Sequence, residues 1–293
     1  MRYLEKAFKF TFKNFILFLP LLISIAIPAL IMGVGSMGFL LRMTNLEELQ
    51  RLMRDFAYNS NNIDAIPNLF NNLYGPTMLA SMGLSGLLSI VFAIIIKPAT
   101  YGLINKKYET GSSSLSDFTS SMSKFVGRYV LFALLSFAIW VGVSVVMTIL
   151  VVVGGIIIAA SSAAPVGVLL IIVAALGAAV VSAALSTYLS LWFPAVCVEN
   201  SSITEGLKNS FKRVSGYFWP ILGITLLVKI CGSIAGLILG GIIGWIPIIG
   251  STVSPLVSGV AEIILIVFYF EVYRDRTGRY DIPEQPQQIN GQF

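Results

Sequence analysis

Six long apolar runs, each separated from the next by polar residues, organise the chain: roughly 15–41, 77–104, 129–160, 166–196, 218–243 and 253–273. A helix rises about 1.5 Å per residue, so some 20 apolar residues cross a hydrocarbon core about 30 Å thick. Every run meets that length, and none shows the short alternating strands of a membrane barrel. The pattern predicts an all-α, polytopic membrane protein with six transmembrane helices. The third and fourth runs exceed the needed length and must tilt or project. Gly154 and Gly155 are candidate break points in the third.

The polar connections carry patterns of their own. "MRYLEKAFKFTFKNF" reads as a basic amphipathic helix at the membrane surface rather than a cleavable signal peptide. In the connection 42–76, Thr44 and Glu47 have capping-box spacing. Leu46, Leu49, Met53 and Phe56 follow at helical spacing, and a second short helix is expected around Ile63 to Leu73. "SITEGLKNSFKRV" (202–214) offers another capping box, with Ile203, Leu207, Phe211 and Val214 on one face. Its basic side, Lys208, Lys212 and Arg213, suits anionic lipid headgroups, although a plain surface connector would look the same. The tail from residue 282 is polar, rich in proline and glutamine, and reads as disordered.

Composition agrees with this picture. Of 293 residues, 56% are hydrophobic and only 11% charged. Placement of charge orients the chain. Arg2, Lys6, Lys9 and Lys13, then Lys97, Lys106, Lys107, Lys124 and Arg128, then Lys208, Lys212 and Arg213, then Arg274, Arg276 and Arg279 all fall on one side. The opposite side holds Arg42, Arg51 and Arg54. The positive-inside rule therefore places both termini in the cytoplasm, in a cytoplasmic (inner) membrane.

The chain also looks internally repeated. "KFTFKNFILF" (9–18), "SKFVGRYVLF" (123–132) and "SFKRVSGYFW" (210–219) each run from a basic amphipathic stretch into an aromatic opening of a span. "YGLINKKYETG" (101–111) is similar to "YFEVYRDRTG" (269–278), and "KPATYGL" (97–103) to "FPAVCVE" (193–199). Units of 1–110, 111–199 and 200–281 follow, within a single six-helix domain over 1–281. Each would be an interfacial helix followed by a hairpin.

One run holds a full charge. In "LLVKICGSIAGLILGGIIG" (226–244), Lys229 lies about eleven residues inside its span, roughly 16 Å deep, where it costs about 2.5–3.5 kcal/mol. Glu262 lies at similar depth in the next span. Lys229 also falls on the stripe of Gly232, Gly236, Gly240 and Gly244, which would let the two helices approach closely. A Lys229–Glu262 ion pair in the seam of the last hairpin is expected. It would fix register or, in a second reading, serve a proton or substrate relay. Lys97, nearer its boundary, can snorkel to the surface.

Chemistry is thinly represented. There is no histidine, which removes the commonest general base and metal ligand. The two cysteines, Cys197 and Cys231, have no ligand spacing, and no nucleophile elbow, phosphate loop or zinc-protease motif occurs. No cofactor, metal or nucleic-acid partner is expected.

At "LWFPAVCVENSSITEGLKNSFKRVSGYFWPILGITLL" (191–227) the sequence resembles the family named for the membrane domain of glycerophosphodiester phosphodiesterases and its uncharacterised prokaryotic relatives. Pro194, the Glu199–Asn200 pair, the "EGLKNSF" segment and the Gly216–Tyr217 entry carry the resemblance, together with "YFEVYRDRTG". It implies a six-helix membrane module. A fused phosphodiesterase domain, present in some members, has no counterpart here. The leading expectation is a non-enzymatic scaffold or accessory protein that organises lipids or protein partners, or its own copies, in a prokaryotic membrane. The alternative is a carrier of a lipid or small amphiphile. An intramembrane enzyme comes third.

Overall fold

The computed structural model describes residues 2–59, 66–160, 164–244 and 246–279. Among them all regular structure is helical: α1 (Arg2–Lys13), α2 (Leu19–Thr44), α3 (Leu46–Asn59), α4 (Ile66–Thr110), α5 (Phe118–Ala160), α6 (Ala164–Ser190), α7 (Trp192–Glu199), α8 (Ile203–Ser215), α9 (Phe218–Ile243) and α10 (Pro247–Arg276). Two 3₁₀ turns, Phe15–Phe18 and Leu115–Asp117, lead into α2 and α5. Six helical stretches among the described residues are long and apolar enough to cross a membrane, at Phe15–Met37, Tyr74–Thr110, Leu115–Ile158, Pro165–Glu199, Phe218–Ile243 and Ile249–Arg276. These are the six expected runs. The polar tail expected to be disordered lies outside the described residues.

Element ends follow local chemistry. Asn45, not Thr44, caps α3: its Oδ1 accepts the Glu47 N–H at 3.2 Å, while Thr44 is taken up as the last residue of α2. Ser202 caps α8 as expected, accepting the Glu205 N–H at 3.3 Å. Ser114 and Asp117 form a capping box that starts the helix entry to α5. Within α4 the backbone breaks at Gly75 (φ 74, ψ 160), immediately before Pro76. Only glycine adopts that conformation readily, and proline cannot supply the missing helical N–H.

Two expectations about α5 are corrected. Gly154 and Gly155 do not break it. Gly154 instead lets α6 approach, since a β-carbon there would lie 2.6 Å from Ile171 Cγ1. Nor is the segment 123–132 a separate surface helix, because α5 runs without interruption from Phe118.

Among the described residues, the chain packs as two compact units. The first comprises residues 1–7, 101–226 and 266–293. Its core is aromatic. Phe193 meets Tyr101 and Tyr129 edge-on at 4.9 and 5.0 Å, and Phe132 meets Trp192 at 4.9 Å. Such T-shaped pairs add to the area buried by large rings. α8 packs through Ile203, Gly206, Ser210 and Val214, all buried, rather than through the predicted Leu207 and Phe211. The small residues win that face because they let α8 lie against α7, where Gly206 touches Val196. Phe211 stays 40% exposed and stacks on Tyr188 at 4.9 Å.

The second unit comprises residues 8–100 and 227–265. Here α9 and α10 approach closely at Gly232 and Gly236. A β-carbon at Gly232 would sit 2.8 Å from Ala261 Cβ, and one at Gly236 3.0 Å from Ser254 Oγ. At Gly240 the nearest atom, Ser254 Cβ, is an ordinary 3.7 Å away, while Gly244 closes on its own helix at Gly240. Gly259 lets α10 meet Ile25 of α2.

Candidate functional site: an ion pair at an intramembrane cleft

Glu262 finds its partner on α4, not on α9. Lys97 Nζ donates to Glu262 Oε1 at 2.6 Å. The Lys229–Glu262 pair read from the sequence is therefore corrected, and so is the expectation that Lys97 snorkels. The reason lies in helix rotation. Ala261 is the residue α10 turns toward Gly232 of α9. Its neighbour Glu262 stands about 100° further round and meets α4 instead. Lys229 itself is exposed on α9.

The pair stands at a cleft of about 570 Å³ built by α2, α4 and α10 within the second unit. That volume lies in the range of small-molecule sites, about 300–1,000 Å³. Leu21, Ile25, Ala29, Ile90, Phe92 and Ala93 supply apolar walls. Polar groups converge from all three helices: Ser24 of α2, Ser85, Ser89 and Lys97 of α4, and Glu262 of α10. The side chains of Lys97 and Glu262 are 29% and 42% exposed, so the pair is open to the cleft rather than sealed in a core.

Hydrogen-bond direction matters. Ser24, Ser85 and Ser89 donate their hydroxyl protons to backbone carbonyls, of Leu21 at 2.6 Å, Met82 at 3.2 Å and Ser85 at 2.7 Å. Their oxygen lone pairs are left as acceptors. Pro28, in the wall of α2, has no N–H to offer the carbonyl of Ser24. Lys97 is thus the chief donor in a cleft otherwise made of acceptors. Ser85, Ser89 and Lys97 share one side of α4 at spacings of four and eight residues. That spacing was the sequence signal for this site, hidden among many small residues in apolar helices.

The first unit holds a second, denser polar network, and it is structural. Tyr108 donates to Glu271 at 2.7 Å, Lys6 lies 3.7 Å from the same carboxylate, and Arg274 donates to the Tyr108 carbonyl at 3.3 Å. Tyr3 and Arg2 bind Asp275 at 2.7 and 3.1 Å. Burial, then the bond to Asp275, holds the Tyr3 phenol above its usual value. Tyr273 and Asn209 both donate to Glu199, each at 2.5 Å. These bonds tie α1, α4, α7 and α8 to the last turns of α10.

The remaining candidates separate. Lys208 and Lys212 are exposed on α8, whereas Arg213 donates to the Arg276 carbonyl at 3.0 Å. Cys197 is buried, Cys231 is exposed, and both are free.

Six apolar helices with an ion pair among them define a polytopic α-helical membrane protein. By sequence the chain belongs to the family described as "Domain of unknown function (DUF7847)", which matches residues 65–274. No curated protein and no solved structure matches it.

Proposed function

We propose that this chain is a non-enzymatic accessory protein of a prokaryotic cytoplasmic membrane, both termini inside, that organises lipid by holding one amphiphile in the α2–α4–α10 cleft. The single observation that carries this reading is the Lys97–Glu262 pair, exposed to a cleft with apolar walls. Ionisable groups within membrane spans cost free energy and are functional suspects for that reason. The orientation rests on the basic residues gathered at one set of helix ends. Exposed Lys208 and Lys212 on α8 suit anionic headgroups there. The likeness to the membrane domain of glycerophosphodiester phosphodiesterases at 191–227 fits a membrane module without catalytic machinery of its own. Internal repetition gains support from three helix ends at corresponding places: Gly111, Asn200 and Gly278 all take left-handed backbone, with φ of 72°, 52° and 72°.

A carrier of the same amphiphile is the second reading, favoured by the openness of the cleft. The deciding experiment is native mass spectrometry of protein released gently from its membrane, with lipid analysis of what stays bound. One selectively retained amphiphile per chain supports the proposal. Retention in proportion to bulk abundance contradicts it. Lipid exchange between vesicles containing the protein, faster than in protein-free vesicles, would replace the accessory role by the carrier.

A further inference from the structure

The geometry points to an amphiphile with a net-neutral head that carries a primary ammonium beside an acidic group, as in a phosphoethanolamine lipid. This inference rests on the reading of the cleft as an amphiphile site and adds the class of head it takes.

Charge comes first. One ammonium, Lys97, and one carboxylate, Glu262, leave the cleft neutral. A ligand bringing net charge into a membrane interior would leave that charge uncompensated, which is strongly unfavourable. A zwitterion avoids this. It inserts into the existing ion pair with each of its charges against the opposite one, phosphate toward Lys97 and ammonium toward Glu262. Neither protein charge is stranded at any stage.

The excess of acceptors sets the second requirement. Ser24, Ser85 and Ser89 spend their protons on backbone carbonyls, and Glu262 retains a second carboxylate oxygen. Such a surface selects a head that brings N–H donors. A primary ammonium brings three, whereas a trimethylammonium head brings the same charge and none. The apolar wall, with Ile25, Ile90 and Phe92, commits the site to a lipid rather than to the soluble head alone.

The test uses the full chain in detergent, titrated by native mass spectrometry with phosphatidylethanolamine, phosphatidylcholine, phosphatidylglycerol and diacylglycerol of matched acyl chains, and separately with free phosphoethanolamine. The expected result is one phosphatidylethanolamine per chain, bound roughly tenfold more tightly than phosphatidylcholine, as befits loss of a charge-assisted hydrogen bond. Glu262→Gln, with a wild-type elution profile, should abolish that preference. Equal binding of the choline lipid overturns the ammonium requirement. Preference for phosphatidylglycerol or diacylglycerol overturns the zwitterion, though not the amphiphile reading. Free phosphoethanolamine binding as tightly as the lipid overturns the lipid assignment. Absence of any selective lipid overturns the proposed function itself.

Discussion

At the scale of single residues, two lysines in apolar helices have opposite fates. Lys97 is tied to Glu262 at 2.6 Å, while Lys229 is exposed. Removing one partner of a pair strands the other, and an unsatisfied polar group costs about 1–3 kcal/mol. Lys97→Met should therefore lower thermal stability in detergent clearly, and the double variant Lys97→Met/Glu262→Gln should recover part of the loss. Lys229→Leu breaks no ion pair and removes a charge from an apolar span, so it should not lower thermal stability. A Lys229→Leu effect as large as that of Lys97→Met would restore the pairing read from the sequence. Depth along each helix was legible there, and it placed both Lys229 and Glu262 well inside their spans. Rotation was not, because which helix takes a given face depends on a third helix that the hairpin alone does not reveal.

Tyr3 offers a pH test at the same scale. Burial first, and then its bond to Asp275, raises its pKa above the ordinary 10.0. The neutral phenol is thus the form the fold favours. Its stabilising contribution is complete below pH 10 and is lost as the pH climbs through the raised value. Ultraviolet titration of phenolate should show a late-ionising component that shrinks by one tyrosine in Tyr3→Phe. No difference between the two titrations would contradict the bond from Tyr3 to Asp275.

Among elements, glycines do most of the positioning, and their jobs differ. Gly232 faces Ala261 so closely that a side chain has no room, whereas nothing lies within 4 Å of a β-carbon at Gly223 of the same helix. Overpacking costs about 1–3 kcal/mol. Gly232→Leu should lower the unfolding temperature and Gly223→Leu should not. Similar effects of both would mean the α9–α10 seam is loose. Gly232 and Gly236 were readable in the sequence as small residues on one helix face, and so was the Ser202 cap, whereas Thr44 gave way to Asn45. Gly154 was misread, because a glycine that breaks a helix and one that admits a neighbour look alike until the neighbour is placed. The second repeat's surface helix likewise merged into α5, since Gly127 alone does not interrupt a strongly helical run.

For the whole molecule, the six spans were legible because a bilayer demands a length of apolar residues that few other contexts tolerate. The cleft was not, since it is assembled from separate helices by residues spaced far apart in the chain. Orientation can be checked directly. Alkaline phosphatase fused after Thr110 should be inactive and a fluorescent protein fused there should fold, with the reverse at Asn59. The opposite pattern would invert the proposed topology.

The most direct test of the amphiphile site is photo-crosslinking in the native membrane. A photoreactive residue replaces Ser89 in the cleft or, as a control, Ile230, exposed on α9. The expected result is one chemically distinct lipid adduct from position 89 and adducts in proportion to membrane composition from position 230. Identical adduct profiles at the two positions would contradict a selective amphiphile site in the α2–α4–α10 cleft.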